Sequence, residues 1–127
     1  MDKKIVSTAA VIACLSVIFG AFGAHALKEL INQQHLATFE VGVRYQMYHA
    51  LALLFIGFST RISPRTKRLV FLSFVLGIFL FSGSIYLLSL KEILPFSLSK
   101  IAFLTPIGGL FFIIGWMLIA IRVWKLK

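Results

Sequence analysis

Four long apolar runs, separated by short polar connections, dominate the sequence at residues 5–27, 39–58, 69–90 and 101–121. Each is long enough to cross a hydrocarbon layer of about 30 Å at about 1.5 Å per helical residue. Inside such a layer no water satisfies backbone amides, so a spanning segment must be a helix or part of a closed barrel. The runs are too long and too uniformly apolar for the alternating strands of a barrel. The expected fold is an all-α membrane protein, a compact four-transmembrane-helix bundle forming a single domain over residues 1–127. Composition agrees, with 60% hydrophobic and only 13% charged residues. A soluble domain of this size could not hide that much apolar side chain.

Basic residues supply the direction. Lys3 and Lys4 precede the first run, and Arg61, Arg65, Lys67 and Arg68 surround Pro64 between the second and third. Arg122, Lys125 and Lys127 follow the fourth. The other two connections carry Lys28 in one, Lys91 and Lys100 in the other, together with the acids Glu29 and Glu92. The positive-inside rule then predicts both termini on the cytoplasmic side, in a multi-pass arrangement in the plasma or inner membrane. Trp124 suits the inner interface and Phe96 the outer. The net charge of +9 is thus topological, and nucleic acid is not an expected partner. The expected partners are the lipid bilayer itself and either a second copy or another membrane protein. Residues Met1 to Ala26 also fit a secretory signal, with Ala24-His25-Ala26 as a cleavage pattern, but the apolar stretch is longer than a signal core and favours a retained span. The single cysteine, Cys14, lies mid-run and has no intramolecular disulfide partner.

Lipid tails are as apolar as leucine, so small residues and polar contacts must bring such helices together. Ser16, Gly20 and Ala24 recur every four residues in the first run. Ser73, Gly77 and Ser84 share a face of the third, and Gly108 and Gly115 lie two turns apart in the fourth. These positions are the expected packing surfaces. Pro106 falls about one and a half turns inside the fourth run, where it would clash with the carbonyl of Ala102 and kink the helix.

The second run carries the polar residues. At 100° per residue, Glu40, Arg44, Tyr45, Tyr48 and His49 occupy one half of the helix, and Phe39, Val43, Met47, Ala50 and Leu54 the other. The polar half is expected to face the bundle, with a Glu40–Arg44 ion pair at i, i+4 and a hydrogen bond between Tyr45 and His49. Counting from the outer boundary brings His25 level with Glu40, and Arg44 level with Ser84, Tyr86 and Thr105. A candidate ligand pocket follows, opening outward and built by His25, Glu40, Arg44, Tyr45, His49, Tyr86 and Thr105, for a small anion or lipid headgroup. The plainer reading of the same residues is a polar cluster that fixes helix register. His25 and His49 differ in depth by on the order of 13 Å, which disfavours a shared metal or haem, and no cofactor is expected. No nucleophile triad, phosphate loop or zinc-protease motif is present, and the reading leans away from an enzyme.

The segments Gly20-Ala-Phe-Gly-Ala-His25, Tyr45-Gln-Met-Tyr-His49-Ala-Leu51, Phe81-Ser-Gly-Ser-Ile-Tyr86 and Thr105-Pro-Ile-Gly-Gly109 resemble domain-of-unknown-function family four-two-three. This is a group of small bacterial inner-membrane proteins with a eukaryotic transmembrane counterpart. The resemblance spans nearly the whole chain and implies a four-span plasma-membrane protein, without an activity. It points to His25, Tyr45, His49, Ser82, Tyr86, Thr105 and Pro106 as motif residues. Two functions remain open: a small structural or regulatory membrane component, or a transporter or channel subunit. Small multidrug exporters share the size, but they use an acid in their first helix, and here that span has none.

Overall fold

The computed structural model describes residues 1–126. Four helices account for most of them: α1, Lys3–Ala24; α2, Gln33–Phe58; α3, Pro64–Ser89; and α4, Leu104–Trp124. A short 3-10 turn, Leu27–Glu29, follows α1. Three of the helices, α1 extended through that turn, α3 and α4, are long and apolar enough to cross a membrane. The 26-residue α2 matches them in length, but its first half is polar.

Local chemistry sets the starts. The Asp2 carboxylate accepts from the amides of Lys4 and Ile5, at 3.1 and 3.2 Å, and caps α1. Asn32 caps α2 by accepting from the amide of His35 at 2.9 Å. Ser63 does the same for α3 through the amide of Thr66, with Pro64 as the first helical residue. These residue types satisfy amides that a helix start leaves unpaired, and proline there forfeits nothing.

Pro106 follows the same logic, and the expected kink is corrected. Because α4 begins at Leu104 rather than 101, Pro106 is its third residue. Its missing N–H belongs to a first turn that makes no intrahelical bond, so α4 runs on to Trp124 unbroken.

The departure from regular geometry lies in α3. This helix is α-helical over Pro64–Gly77, widens into a π-turn at Ile78–Ser82, and resumes over Gly83–Ser89. The amide of Gly83 bonds the carbonyl of Ile78, five residues back.

Packing runs in order along the chain. α1 lies chiefly on α2, α2 on the π-turn and second half of α3, and α3 along α4. A core of Ile5, Ala9, Leu53, Ile56, Ile62, Val70, Phe74 and Phe112 fills the end nearer the chain termini. A smaller cluster of Leu27, Ile31 and Phe39 closes the opposite end. Glycine makes the tightest crossing: a Cβ on Gly108 would overlap the backbone of Leu80 and Phe81 in the π-turn. Gly77 and Gly115 likewise receive the rings of Phe112 and Phe74.

At the end nearer Asp2 the carbonyl of Gly57, in the last turn of α2, accepts the amide of Asp2 at 2.9 Å and the Lys67 ammonium at 3.2 Å. Lys67 is buried, and its cation meets the negative pole of a helix C-terminus. At the other end Glu92 lies 3.3 Å from both the Asn32 amide and His35 Nδ1, which joins the start of α2 to the connection between α3 and α4. The His35 contact is at ion-pair distance but off the line of a hydrogen bond.

Candidate functional site: a buried polar seam

The inward face of α2 is Phe39, Gly42, Gln46, His49, Leu53 and Ile56, all buried and spaced alternately three and four residues apart. This corrects the expected orientation. Phe39 and Ala50, assigned to the lipid side, are buried, whereas Glu40, Arg44 and Tyr48 are exposed on the outside of the bundle. The physical reason is shape. Glycine at position 42 lets Tyr86 lie directly on α2, where a Cβ would come within 2.7 Å of its ring. From that face the neutral side chains of Gln46 and His49 reach partners on neighbouring helices, and no carboxylate or guanidinium has to be desolvated in the packed interior.

Gln46 is the centre of the seam, only 4% exposed. Its amide Nε2 donates to the carbonyl of Ile12 on α1 at 2.9 Å, and its Oε1 accepts from the Tyr86 hydroxyl on α3 at 2.6 Å. One side chain therefore ties three helices. Ser16 returns the bond between α1 and α2 by donating to the carbonyl of Val43 at 2.8 Å. On the α3 side Ser82, fully buried at the end of the π-turn, donates to the carbonyl of Gly42 at 2.7 Å. The hydroxyls of Ser84 and Thr105 share a 2.6 Å bond between α3 and α4.

His49 lies a turn deeper and is held on every side. Its ring stacks on Phe112, with centroids 3.6 Å apart and planes 9° from parallel, and meets Phe74 edge-on. Nδ1 is 2.7 Å from the carbonyl of Tyr45, and Nε2 is 3.0 Å from the indole N–H of Trp116. A carbonyl can only accept and an indole N–H can only donate. The arrangement therefore fits the neutral ring with its proton on Nδ1, and neither nitrogen is left for a ligand or metal. The expected Tyr45–His49 link is thus a backbone contact, with the phenol ring lying beside the imidazole at 6.2 Å.

The residues grouped for an outward pocket are divided by the fold. His49, Tyr86 and Thr105 belong to the seam. His25 ends α1 in an exposed position, and Glu40 and Arg44 are exposed on α2. Among the described residues His35–Glu92 is the only ion-pair contact, so Glu40 and Arg44 are not paired with each other. Described His, Cys, Asp and Glu side chains form no group able to hold a metal ion. Of the small residues, Ser16, Ser73, Gly77, Ser84, Gly108 and Gly115 are buried. Gly20 is half-buried, its Cβ position 3.5 Å from Val43. Ala24 is exposed, and Gly23 takes the contact with Phe39 in its place. Gln46, Ser82 and Trp116 are the seam residues that the outward-pocket reading omits. The three-four spacing of Gly42, Gln46, His49 and Leu53 is the sequence signal for the first.

An all-helical chain with three apolar helices of membrane-spanning length and a hydrogen-bonded seam between them is a helical membrane protein. Residues 19–109 match the family described as "Protein of unknown function (DUF423)". The chain is 35% identical to a UPF0382 membrane protein of Haemophilus influenzae, covering 100% of this chain and 98% of that one. It is 41% identical to UPF0382 membrane protein SAB0533 of Staphylococcus aureus, over 97% of each. It is also 36% identical to UPF0382 inner membrane protein YgdD of Escherichia coli, over 94% of this chain and 88% of that one. The chain belongs to this DUF423 family of uncharacterised membrane proteins. No solved structure matches it.

Proposed function

We propose that the protein is a small structural or regulatory component of the plasma membrane, a single four-span domain with both termini inside, acting through lateral assembly. The observation that carries this reading is the outward face of α2. Glu40, Arg44, Tyr48, Leu51 and Phe55 follow one another at helical spacing, all exposed on the bundle surface. A guanidinium near the middle of a span costs roughly 2.5–3.5 kcal/mol, less towards the edge. A face that carries both signs one turn apart complements a second copy of itself: Glu40 of one protomer reaches Arg44 of the other across a two-fold axis. The seam meanwhile binds its own polar groups to one another, which suits a scaffold better than a transport path.

The test is oxidative cross-linking in native membranes. In a Cys14→Ala background, Tyr48→Cys should give a disulfide-linked dimer, whereas Ile113→Cys, on the exposed side of α4, should not. Absence of the Tyr48 cross-link, together with anion flux in liposomes reconstituted with the wild type, would reject the proposal in favour of a transporter.

A further inference from the structure

The inner end of the molecule holds a cleft of about 340 Å³ between the α2–α3 connection and the last turn of α4. Two segments far apart in sequence form it, and together they bring in three cations: Arg61 from the connection, and Arg122 and Lys125 from α4 and its end. Ser63, the N-cap of α3, lies on the same wall, and Ile119 and Val123 line the opposite side. The cleft thus draws positive charge from both walls, hydroxyls from the connection, and apolar side chains from α4.

Among the described residues nothing neutralises this charge. The chain has four acids. Asp2 uses its carboxylate to cap α1, and Glu29, Glu40 and Glu92 lie towards the opposite end of the helices. No described carboxylate is within ion-pair distance of Arg61, Arg122 or Lys125.

The geometry points to a binding site for a phosphate group here, taken from an anionic phospholipid headgroup or from phosphate in solution. Guanidinium groups match phosphate oxygens with paired donors, and a lysine adds a point charge. A basic cleft at the cytoplasmic ends of membrane helices, with apolar side chains beside it, matches a headgroup whose acyl chains continue along the bundle. The lipid source rests on the proposed inward placement of this end; the phosphate chemistry does not.

The experiment is a melting comparison in neutral detergent. Phosphatidylglycerol, phosphatidylcholine and inorganic phosphate are added separately to the wild type and to an Arg61→Gln/Arg122→Gln/Lys125→Gln variant. These side chains are exposed, so the variant should melt with the wild type when nothing is added; if it fails to fold, Arg122→Gln alone replaces it. Phosphatidylglycerol is expected to raise the wild-type melting temperature by about 4 °C and the variant's by much less, with phosphatidylcholine inert. A shift given by inorganic phosphate and lost in the variant supports the site and assigns it to the aqueous ion. Equal shifts from both lipids, a shift retained by the variant, or no shift in any arm overturns it. The phosphate arm depends on neither orientation nor lateral assembly, so it fails independently of the proposed function.

Discussion

Gln46 is the residue on which the helix contacts converge, because an amide both donates and accepts. It gives one hydrogen bond to α1 and takes one from α3, a combination no other single side chain in the seam makes between those two helices. Interhelical hydrogen bonds in membrane proteins average about 0.6 kcal/mol and reach about 1.7. Gln46→Leu removes two and leaves the Tyr86 hydroxyl without its acceptor, so a loss of about 1–2 kcal/mol is expected in reversible unfolding from mixed micelles. Tyr86→Phe should cost less, because Gln46 keeps its bond to Ile12. The double variant should recover part of the summed loss. Strict additivity would mean that the 2.6 Å contact contributes nothing. The importance of Gln46 was legible in principle. The strongest charges, taken as the inward side, place Arg44 in the bundle, whereas burial follows the Gly42-Gln46-His49-Leu53 spacing. Charge indicates where a residue is expensive, and it does not show which face of the helix is close-packed.

At the scale of the element, the four helices follow directly from apolar run length and from Asp2, Asn32 and Ser63 as caps. The π-turn of α3 does not. Residues 78–82 read as ordinary helix, and nothing in their own sequence requires an extra residue in the turn. Its location becomes intelligible only with α4 in place, since Gly108 presses backbone against Leu80 and Phe81. The adjacent pair Gly108-Gly109 therefore distinguishes close approach from a helix merely loosened by glycine. A loosened helix would treat both alike. Close approach predicts that Gly108→Ala destabilises by about 2 kcal/mol, because the obstructing atoms are backbone and cannot rotate away. Gly109→Ala, whose nearest neighbours are 3.8 Å distant, should be neutral or stabilising by up to about 1 kcal/mol through helix propensity. Thermal retention of the monodisperse protein measures both. Equal losses at the two positions would refute the close-approach account.

For the whole molecule, charge is divided between the two ends of the helices. Lys3, Lys4, Arg61, Arg65, Lys67, Arg68, Arg122 and Lys125 gather at one end with Asp2, whose carboxylate is occupied as a cap. Lys28, Lys91 and Lys100 share the other with Glu29 and Glu92. Lys67 complicates a purely topological account, because its ammonium is buried against the carbonyl of Gly57 and serves the join between α2 and α3 as well. A test of orientation should therefore leave the cations intact and report position instead. Single cysteines in a Cys14→Ala background do this, at Thr60 on the basic end and Ser97 on the other, both exposed. With a membrane-impermeant maleimide, Ser97→Cys should label in intact cells and Thr60→Cys only after permeabilisation. The reverse pattern would place the basic cleft outside, where the cytoplasmic leaflet's anionic lipids cannot reach it. Labelling of both in intact cells would mean that α3 does not cross, since α3 and the turns after it are what separate residue 60 from residue 97.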